Sequence, residues 1–131
     1  AQKLIAVTEE ALAKGIGAAR AGGRIGDIGH AIESYVKKSG FSIVRELGGH
    51  AVGKKVHEEP FIPNWGEMGA GAEIAEGMVL ALEPIVNEGS QGISLDKDGY
   101  TFKTKDGMRS AHFENTILIT KKGGAEILTK I

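Results

Sequence analysis

Apolar residues recur at helical spacing in the first twenty positions of the chain. Over residues 3–20, four of them occupy spacings compatible with one helical face, namely Leu4, Leu12, Ile16 and Ala19. Residues 21–24 include a Gly-Gly pair and interrupt this pattern. The pattern therefore predicts a first helix that ends near residue 20.

A second helix is predicted directly after this break. Its apolar residues recur every three or four positions, at Ile28, Ala31, Ile32, Tyr35 and Val36. Asp27 precedes them and is the expected N-cap. Lys37 and Lys38 suit the last turn of the helix, and Gly40 suits its C-terminal cap.

From residue 41 onward the pattern is typical of strands. Strands are predicted in five segments, at residues 41–44, 78–86, 100–104, 111–120 and 125–128. Asp98-Gly99 and Gly123-Gly124 are predicted hairpin turns. Gly48-Gly49 is expected to end the first strand, and residues 57–71, which contain two prolines, are expected to form a surface loop. Two helices packed on an antiparallel sheet make an α+β fold.

Composition narrows the class of protein and the set of partners. The chain has 131 residues, of which 41% are hydrophobic and 25% charged, and its formal net charge is -1. We therefore expect one soluble globular domain over residues 1–131. The basic pairs at residues 37–38, 54–55 and 121–122 are separated, so no nucleic-acid partner is predicted. No apolar run approaches the ~20 residues of a membrane helix and no targeting segment is recognised, so no membrane partner is predicted.

The absence of cysteine and of several common motifs excludes further classes. Without cysteine there is no disulfide, thiolate metal site or cysteine nucleophile, and a cytoplasmic location is expected. His57 begins the sequence His-Glu-Glu-Pro-Phe, which is not the HExxH zinc motif because its fifth residue is Phe61. The chain also has no Walker loop, and its glycines do not match a dinucleotide-binding loop.

Two glutamates lie in apolar surroundings and have structural as well as functional interpretations. Glu83 stands between apolar residues 79–82 and Pro84, so a sheet is expected to bury it in part. A structural partner such as Arg45, Arg109 or a backbone amide would account for it. Glu114 is expected to share a strand face with His112, where a cross-strand ion pair needs no function.

His50 and His57 complete a possible metal-binding set. His50 follows Gly48-Gly49 in the predicted turn, and a single histidine in a turn is usually an ordinary surface residue. Together with the two glutamates, however, it gives one imidazole and two carboxylates. That ligand set suits Mn, Fe, Co or Zn. His57, seven residues later, is then a candidate proton donor.

The order of these residues resembles type I methionine aminopeptidase along essentially the whole chain. The resemblance is carried by four ordered motifs, at residues 49–53 (GHAVG), 56–60 (VHEEP), 77–84 (GMVLALEP) and 110–116 (SAHFENT). It implies a pita-bread fold of two similar α+β halves that hold two divalent metals between them. This chain would then form half of such a fold.

The resemblance also implies roles for individual residues. It makes His50, Glu83 and Glu114 metal ligands, with Glu114 bridging both ions, and His57 the catalytic histidine that contacts the scissile peptide. Val56 and Tyr100 would line the pocket for the methionine side chain of the substrate peptide. Asn115 stands where many members of the family have histidine.

The main departure from the family is that two metal-binding aspartates are missing. In the family they lie in a strand-rich segment that precedes the position of Lys3, and no aspartate of this chain matches them by position. Three of the five expected protein ligands are therefore present. The chain resembles the C-terminal half of a methionine aminopeptidase.

Three functional hypotheses follow from this departure. In the first, the chain is a catalytically incomplete half that binds Mn, Co, Fe or Zn weakly or not at all when isolated, and acts by pairing with a first half. In the second, two copies form a dimer that rebuilds the metal site and hydrolyses peptides with N-terminal methionine weakly. In the third, the chain is a metal-free module that binds a peptide or another protein.

Overall fold

Both predicted helices are present in the computed structural model, which describes residues 2–44, 48–51, 58–87, 93–95, 102–104 and 110–129. Helix α1 spans Gln2–Ala18 and α2 spans Ile25–Lys38. Their apolar faces pack against each other and against the sheets, as the helical spacing predicts. No helix among these residues has the length and apolar character needed to cross a bilayer.

The N-terminus of α2 differs from the prediction in one detail. Arg24, not Asp27, is the N-cap, and Asp27 lies in the first turn. The Asp27 carboxylate accepts hydrogen bonds from the backbone N–H groups of Arg24 (2.9 Å) and Gly69 (2.7 Å), which lower the pKa of Asp27. Through these hydrogen bonds, Asp27 links the start of α2 to residues 64–72. At the other end Gly40 follows the C-cap with φ +88°, as its predicted capping role requires.

The described residues after the helices contain ten short strands. They are β1 (Ser42–Ile43), β2 (Gly48–Ala51), β3 (Glu58–Pro63), β4 (Val79–Leu82), β5 (Ile85–Asn87), β6 (Ile93–Leu95), β7 (Phe102–Thr104), β8 (Ser110–His112), β9 (Asn115–Ile119) and β10 (Ala125–Ile127). All recorded strand pairs are antiparallel. The α+β fold with two helices and antiparallel strands is therefore confirmed.

The strands form three sheets rather than one. A five-stranded sheet has the order β10-β9-β4-β2-β3, a three-stranded sheet has the order β1-β5-β8, and β6 pairs with β7. The strands predicted at residues 78–86 and 111–120 are each divided, because the chain passes from one sheet to the other at Glu83-Pro84 and at Phe113-Glu114. Both glutamates of the candidate site thus lie at crossings between sheets.

Two local predictions are wrong for the same reason. Residues 48–51 form a strand rather than a turn, and residues 58–63 form a strand rather than a loop. Pairing of β2 with both β3 and β4 outweighs the weak strand propensity of glycine and proline. The prolines are tolerated because β3 is the outer strand of the described sheet.

The two predicted hairpin turns have different outcomes. The turn at Gly123-Gly124 is confirmed, because β9 and β10 pair across it and Thr120 N–H donates to the Gly124 carbonyl at 2.8 Å. Asp98-Gly99 lies outside the described residues, although the strands on either side of it, β6 and β7, pair antiparallel.

The core lies between the two helices and the two larger sheets. Its fully buried members include three residues of α2 and six of the strands, namely Ile28, Ile32 and Val36 with Ile43, Ile62, Leu80, Leu82, Val86 and Ile117. Gly29 lets residues 63–65 lie directly on α2, because a Cβ there would come within 2.2 Å of the Trp65 carbonyl oxygen. This rigid layer supports the strands that carry the candidate site.

Candidate metal centre

His50 is positioned by a close approach between β2 and β4. It lies opposite Ala81 of β4 and Phe61 of β3, and the pairing is irregular between His50 and Ala51. At Gly49 a Cβ would come within 2.0 Å of the Ala81 carbonyl oxygen, so only glycine permits this spacing. The His50 side chain is 14% exposed, which leaves its ring largely buried at the sheet surface.

The hydrogen bond of the His50 ring defines which nitrogen faces the site. Nδ1 lies 3.1 Å from the Ala51 carbonyl oxygen. Because a carbonyl only accepts, Nδ1 carries the proton in this hydrogen bond. In the neutral ring Nε2 then presents its lone pair, and Nε2 lies 3.6 Å from Glu83 Oε2. This is the arrangement of a metal-binding histidine oriented by the backbone.

The register of the two sheets places Glu83 opposite Glu114. In the five-stranded sheet Leu82 pairs with Asn115, and in the three-stranded sheet Ile85 pairs with His112. Continuing either register across the crossing aligns Glu83 with Glu114, and Phe113 N–H donates to the Pro84 carbonyl at 3.3 Å. Directly opposite residues point to the same face of antiparallel strands, so the two carboxylates meet.

Asn64 holds the backbone at Glu83. Its side-chain Nδ2 donates to the Glu83 carbonyl oxygen at 2.8 Å, and Asn64 is only 1% exposed. Sequence reasoning did not identify Asn64 as part of the site. No local signal marks it, because its partner lies 19 positions further along the chain.

We expect Asn64→Ala to lower both stability and metal affinity. Loss of a buried hydrogen-bond donor costs about 1 to 3 kcal/mol, and the released backbone would let Glu83 shift. Urea unfolding measures the first effect and titration with Mn the second. Ser39→Ala is the matched control. It also removes a hydrogen bond from a side chain to a backbone carbonyl, that of Tyr35, but this bond is at the end of α2 and not at the site. An Asn64→Ala chain that binds Mn as tightly as the control would contradict the expectation.

The electrostatics of the site are those of two carboxylates that need a cation. Partial burial raises the pKa of Glu83 to about 7, and the negative charge and hydrogen bond of Glu114 contribute further to the increase. The adjacent His50 lowers the pKa of Glu83 and so opposes this increase in part. A proton shared between the two carboxylates relieves their repulsion at low pH, and a divalent cation would relieve it at neutral pH.

This raised pKa predicts a pH dependence of stability in the metal-free chain. The pKa of Glu83 is ordinarily 4.5 and rises to about 7 in the fold. Between these two pH values the folded chain therefore keeps a proton on Glu83 that the unfolded chain has lost. Stability therefore falls as the pH rises through this window, by about 1 to 2 kcal/mol after allowance for solvent screening. Urea unfolding at pH 4.5 and 7.5 with chelator measures the loss. Glu83→Gln should lack this component, and equal losses in both chains would exclude it.

The residues present fit a divalent metal. Single ligand atoms of His50, Glu83 and Glu114 all lie within 4.8 Å of one another. One imidazole and two carboxylates suit ions such as Mn, Fe, Co or Zn, and the two negative charges balance that of the ion. Glu114 is exposed whereas His50 and Glu83 are partly buried, so the group opens to solvent on the Glu114 side.

Several predicted residues are not tested by the described part of the chain. His57, Val56 and Tyr100, together with the suggested structural partners Arg45 and Arg109, lie outside the described residues. The expected set of His50, Glu83 and Glu114 is brought together. His112 and Glu114, predicted to share the face of one strand, do not lie in one strand, because β8 ends at His112 and β9 begins at Asn115. His112 Nε2 lies 3.9 Å from Glu83 Oε1. The Asn115 side chain donates to the Thr129 carbonyl at 2.8 Å and so holds the chain after β10.

The fold and sequence are similar to those of methionine aminopeptidases. A model of metallopeptidase family M24 matches residues 1–121. The methionine aminopeptidase of Clostridium perfringens is 50% identical over 131 residues, which are 100% of this chain and 52% of that protein. Crystal structures of methionine aminopeptidases from Rickettsia prowazekii and Thermotoga maritima match with TM-scores of 0.94 and 0.95 at 45% and 48% identity.

These matches also define how much of the relatives the chain represents. The matches to the two crystal structures cover 98% and 99% of this chain and 52% of each other chain. The chain thus spans about half the length of the relatives it matches, and it corresponds to their C-terminal half. The expected half of a pita-bread fold is confirmed.

Proposed function

The chain belongs to metallopeptidase family M24, and from that membership we propose that it forms the metal-holding C-terminal half of a methionine aminopeptidase. The observation that carries the proposal is the convergence of His50, Glu83 and Glu114 within 4.8 Å. The chain would be catalytically incomplete alone and would act, with a first half, in removing N-terminal methionine from peptides. We propose further that residues 1–131 fold as a single domain.

The metal chemistry and the role of the ligands follow from the donor set. A divalent metal, when bound, supplies Lewis acidity toward a peptide carbonyl. His50 would bind through Nε2 because its Nδ1 proton is engaged by Ala51. Glu83 is held at its backbone by Asn64, and Glu114, opposite it, would approach from the solvent side. Mn, Co, Fe and Zn all suit these ligands.

The remaining roles rest on the resemblance to the family. We propose that His57 donates a hydrogen bond to the scissile peptide, and that Val56 and Tyr100 line the pocket for the methionine side chain. A first half would supply the two aspartates that the resemblance implies, since one imidazole and two carboxylates leave many coordination positions open around two ions. A cytoplasmic location is proposed, supported by the absence of cysteine.

Complementation with a first half tests this function. The chain would be mixed with a separately produced N-terminal half of a close relative, in Mn-containing buffer, and hydrolysis of a Met-Ala-Ser peptide would be followed. We expect activity in the mixture and little or none in either half alone. His50→Ala is the matched inactive variant. A mixture that forms a complex but lacks activity would overturn the proposed function.

Sedimentation of the chain by itself distinguishes the two partners considered. A monomer with and without Mn, which associates only when the first half is added, supports pairing with a first half. A dimer that tightens with Mn and hydrolyses the peptide would instead support the second copy as the partner.

A further inference from the structure

The Glu83 carboxylate lies between two imidazole rings. Its Oε2 is 3.6 Å from His50 Nε2, and its Oε1 is 3.9 Å from His112 Nε2. The two histidines come from different sheets, since His50 is in β2 and His112 ends β8. The ligand group described above uses only the first of these rings.

His112 also shares an open cavity with Glu114. The cavity has a volume of about 420 Å³ and is lined by His112, Phe113, Glu114, Thr116 and Thr129. The His112 side chain is 50% exposed, so its ring has room to rotate. Its backbone is fixed by pairing with Ile85 of β5. The backbone is therefore fixed while the ring can rotate, with its Nε2 beside Glu83 in the structure.

We propose that His112 is an additional metal ligand of this chain, which binds through Nε2 on the Oε1 side of Glu83. The inference rests on the proposed metal-holding function and extends it to the isolated chain. With His112, the chain offers two imidazoles and two carboxylates, which is enough to complete a tetrahedral site. The chain then holds one ion before any first half is present.

The observed distances fit this role. Two ligands, each roughly 2.1 Å from an ion in tetrahedral geometry, are about 3.4 Å apart. The 3.6 and 3.9 Å separations of the two histidines from Glu83 exceed this value only slightly. His112 itself lies outside the set of ligand atoms within 4.8 Å of one another, so its ring must rotate toward the other ligands to bind the same ion. The His112 side chain is half-exposed, which leaves its ring free to make this rotation. The two carboxylate charges balance the ion, while the neutral imidazoles add ligands without adding charge.

Nitrogen-15 NMR of the histidine rings tests the inference directly. The chain has four histidines, His30, His50, His57 and His112, so each ring can be assigned from single substitutions. One equivalent of Zn is added to the chain at pH 7. We expect the Nε2 resonances of both His50 and His112 to shift to metal-bound values. A His112 resonance unchanged by Zn would overturn the inference.

Affinity measurements on matched variants give a second readout. His112→Gln keeps a polar side chain and is expected to weaken Zn binding by more than about 100-fold, beyond the 10- to 100-fold typical of outer-shell partners. His30→Gln is the control, because His30 lies on α2 with its Nε2 3.4 Å from Ser34 Oγ, and it should leave the affinity unchanged. If His112→Gln binds Zn like the control while His50→Ala does not bind, His112 is not a ligand but the proposed function stands. If the unaltered chain binds no Zn, the inference fails, and complementation with the first half decides the proposed function separately.

Discussion

Glu83→Gln is expected to reduce the affinity of the chain for Mn by more than about 100-fold. Glu83 faces His50 with one oxygen and His112 with the other, so it is the carboxylate shared by the whole group. Replacing it removes a ligand charge and leaves an amide that binds hard cations weakly, a larger change than the 10- to 100-fold typical of outer-shell partners. Calorimetric titration of Mn measures the effect.

The matched control for this substitution is Glu126→Gln. Glu126 is an exposed carboxylate of β10, opposite Leu118 in the sheet. Its substitution makes the same change of charge away from the site. The metal-free Glu83→Gln chain should unfold at a higher urea concentration than the unaltered chain at pH 7.5, because its amide carries no repulsive charge. With Mn present the unaltered chain should be the more stable of the two, because it binds the metal more tightly. Equal Mn affinities for the two variants would refute the assignment of Glu83.

The largest loss of stability is expected for Gly49→Ala, at roughly 3 kcal/mol, the upper part of the range for overpacking a well-packed site. A Cβ at this position would come within 2.0 Å of the Ala81 carbonyl oxygen and 3.1 Å of the Leu82 Cα. Both are backbone atoms of a central strand, which cannot rotate away as a side chain can. β2 and β4 must separate, which displaces His50 from Glu83. Urea unfolding and Mn titration of the same variant measure the two consequences.

Gly17→Ala provides the control for this prediction. Gly17 lies in α1, and a Cβ there meets no atom within 4 Å. Alanine has the higher helix propensity, so this variant should be as stable as the unaltered chain or more stable by up to ~1 kcal/mol. The same chemical change is thus expected to have opposite signs at two positions. If Gly49→Ala unfolds at the same urea concentration as Gly17→Ala, the close approach of β2 and β4 does not exist in solution.

Local physics made the helices predictable from the sequence. The apolar residues of α2 repeat at the helical period, and Gly40 can adopt the positive φ that ends the helix. The position of Asp27 was less predictable, since whether it caps the helix or lies in its first turn depends on a hydrogen bond to Gly69, distant in the chain. Boundaries are therefore less certain than the elements themselves.

The strands show the limit of local prediction more clearly. Gly48-Gly49 and the prolines of residues 58–63 favour turns and loops when considered alone, yet they form paired strands in the sheet. The continuous apolar runs around Glu83 and Glu114 are typical of single strands. Nothing in them marks the change from one sheet to another, because that change depends on which distant strands pair with each part.

The candidate site, like the strands, could be predicted from the sequence only in part. Through residue type and ordered motifs, the sequence by itself determined the family, the α+β class and the choice of His50, Glu83 and Glu114 as the candidate metal-binding set. Only the tertiary structure decided that Asn64 holds Glu83 and that His112 faces its second oxygen. These contacts join residues 19 and 29 positions apart across different strands, so they exist only once the registers of the two sheets are set.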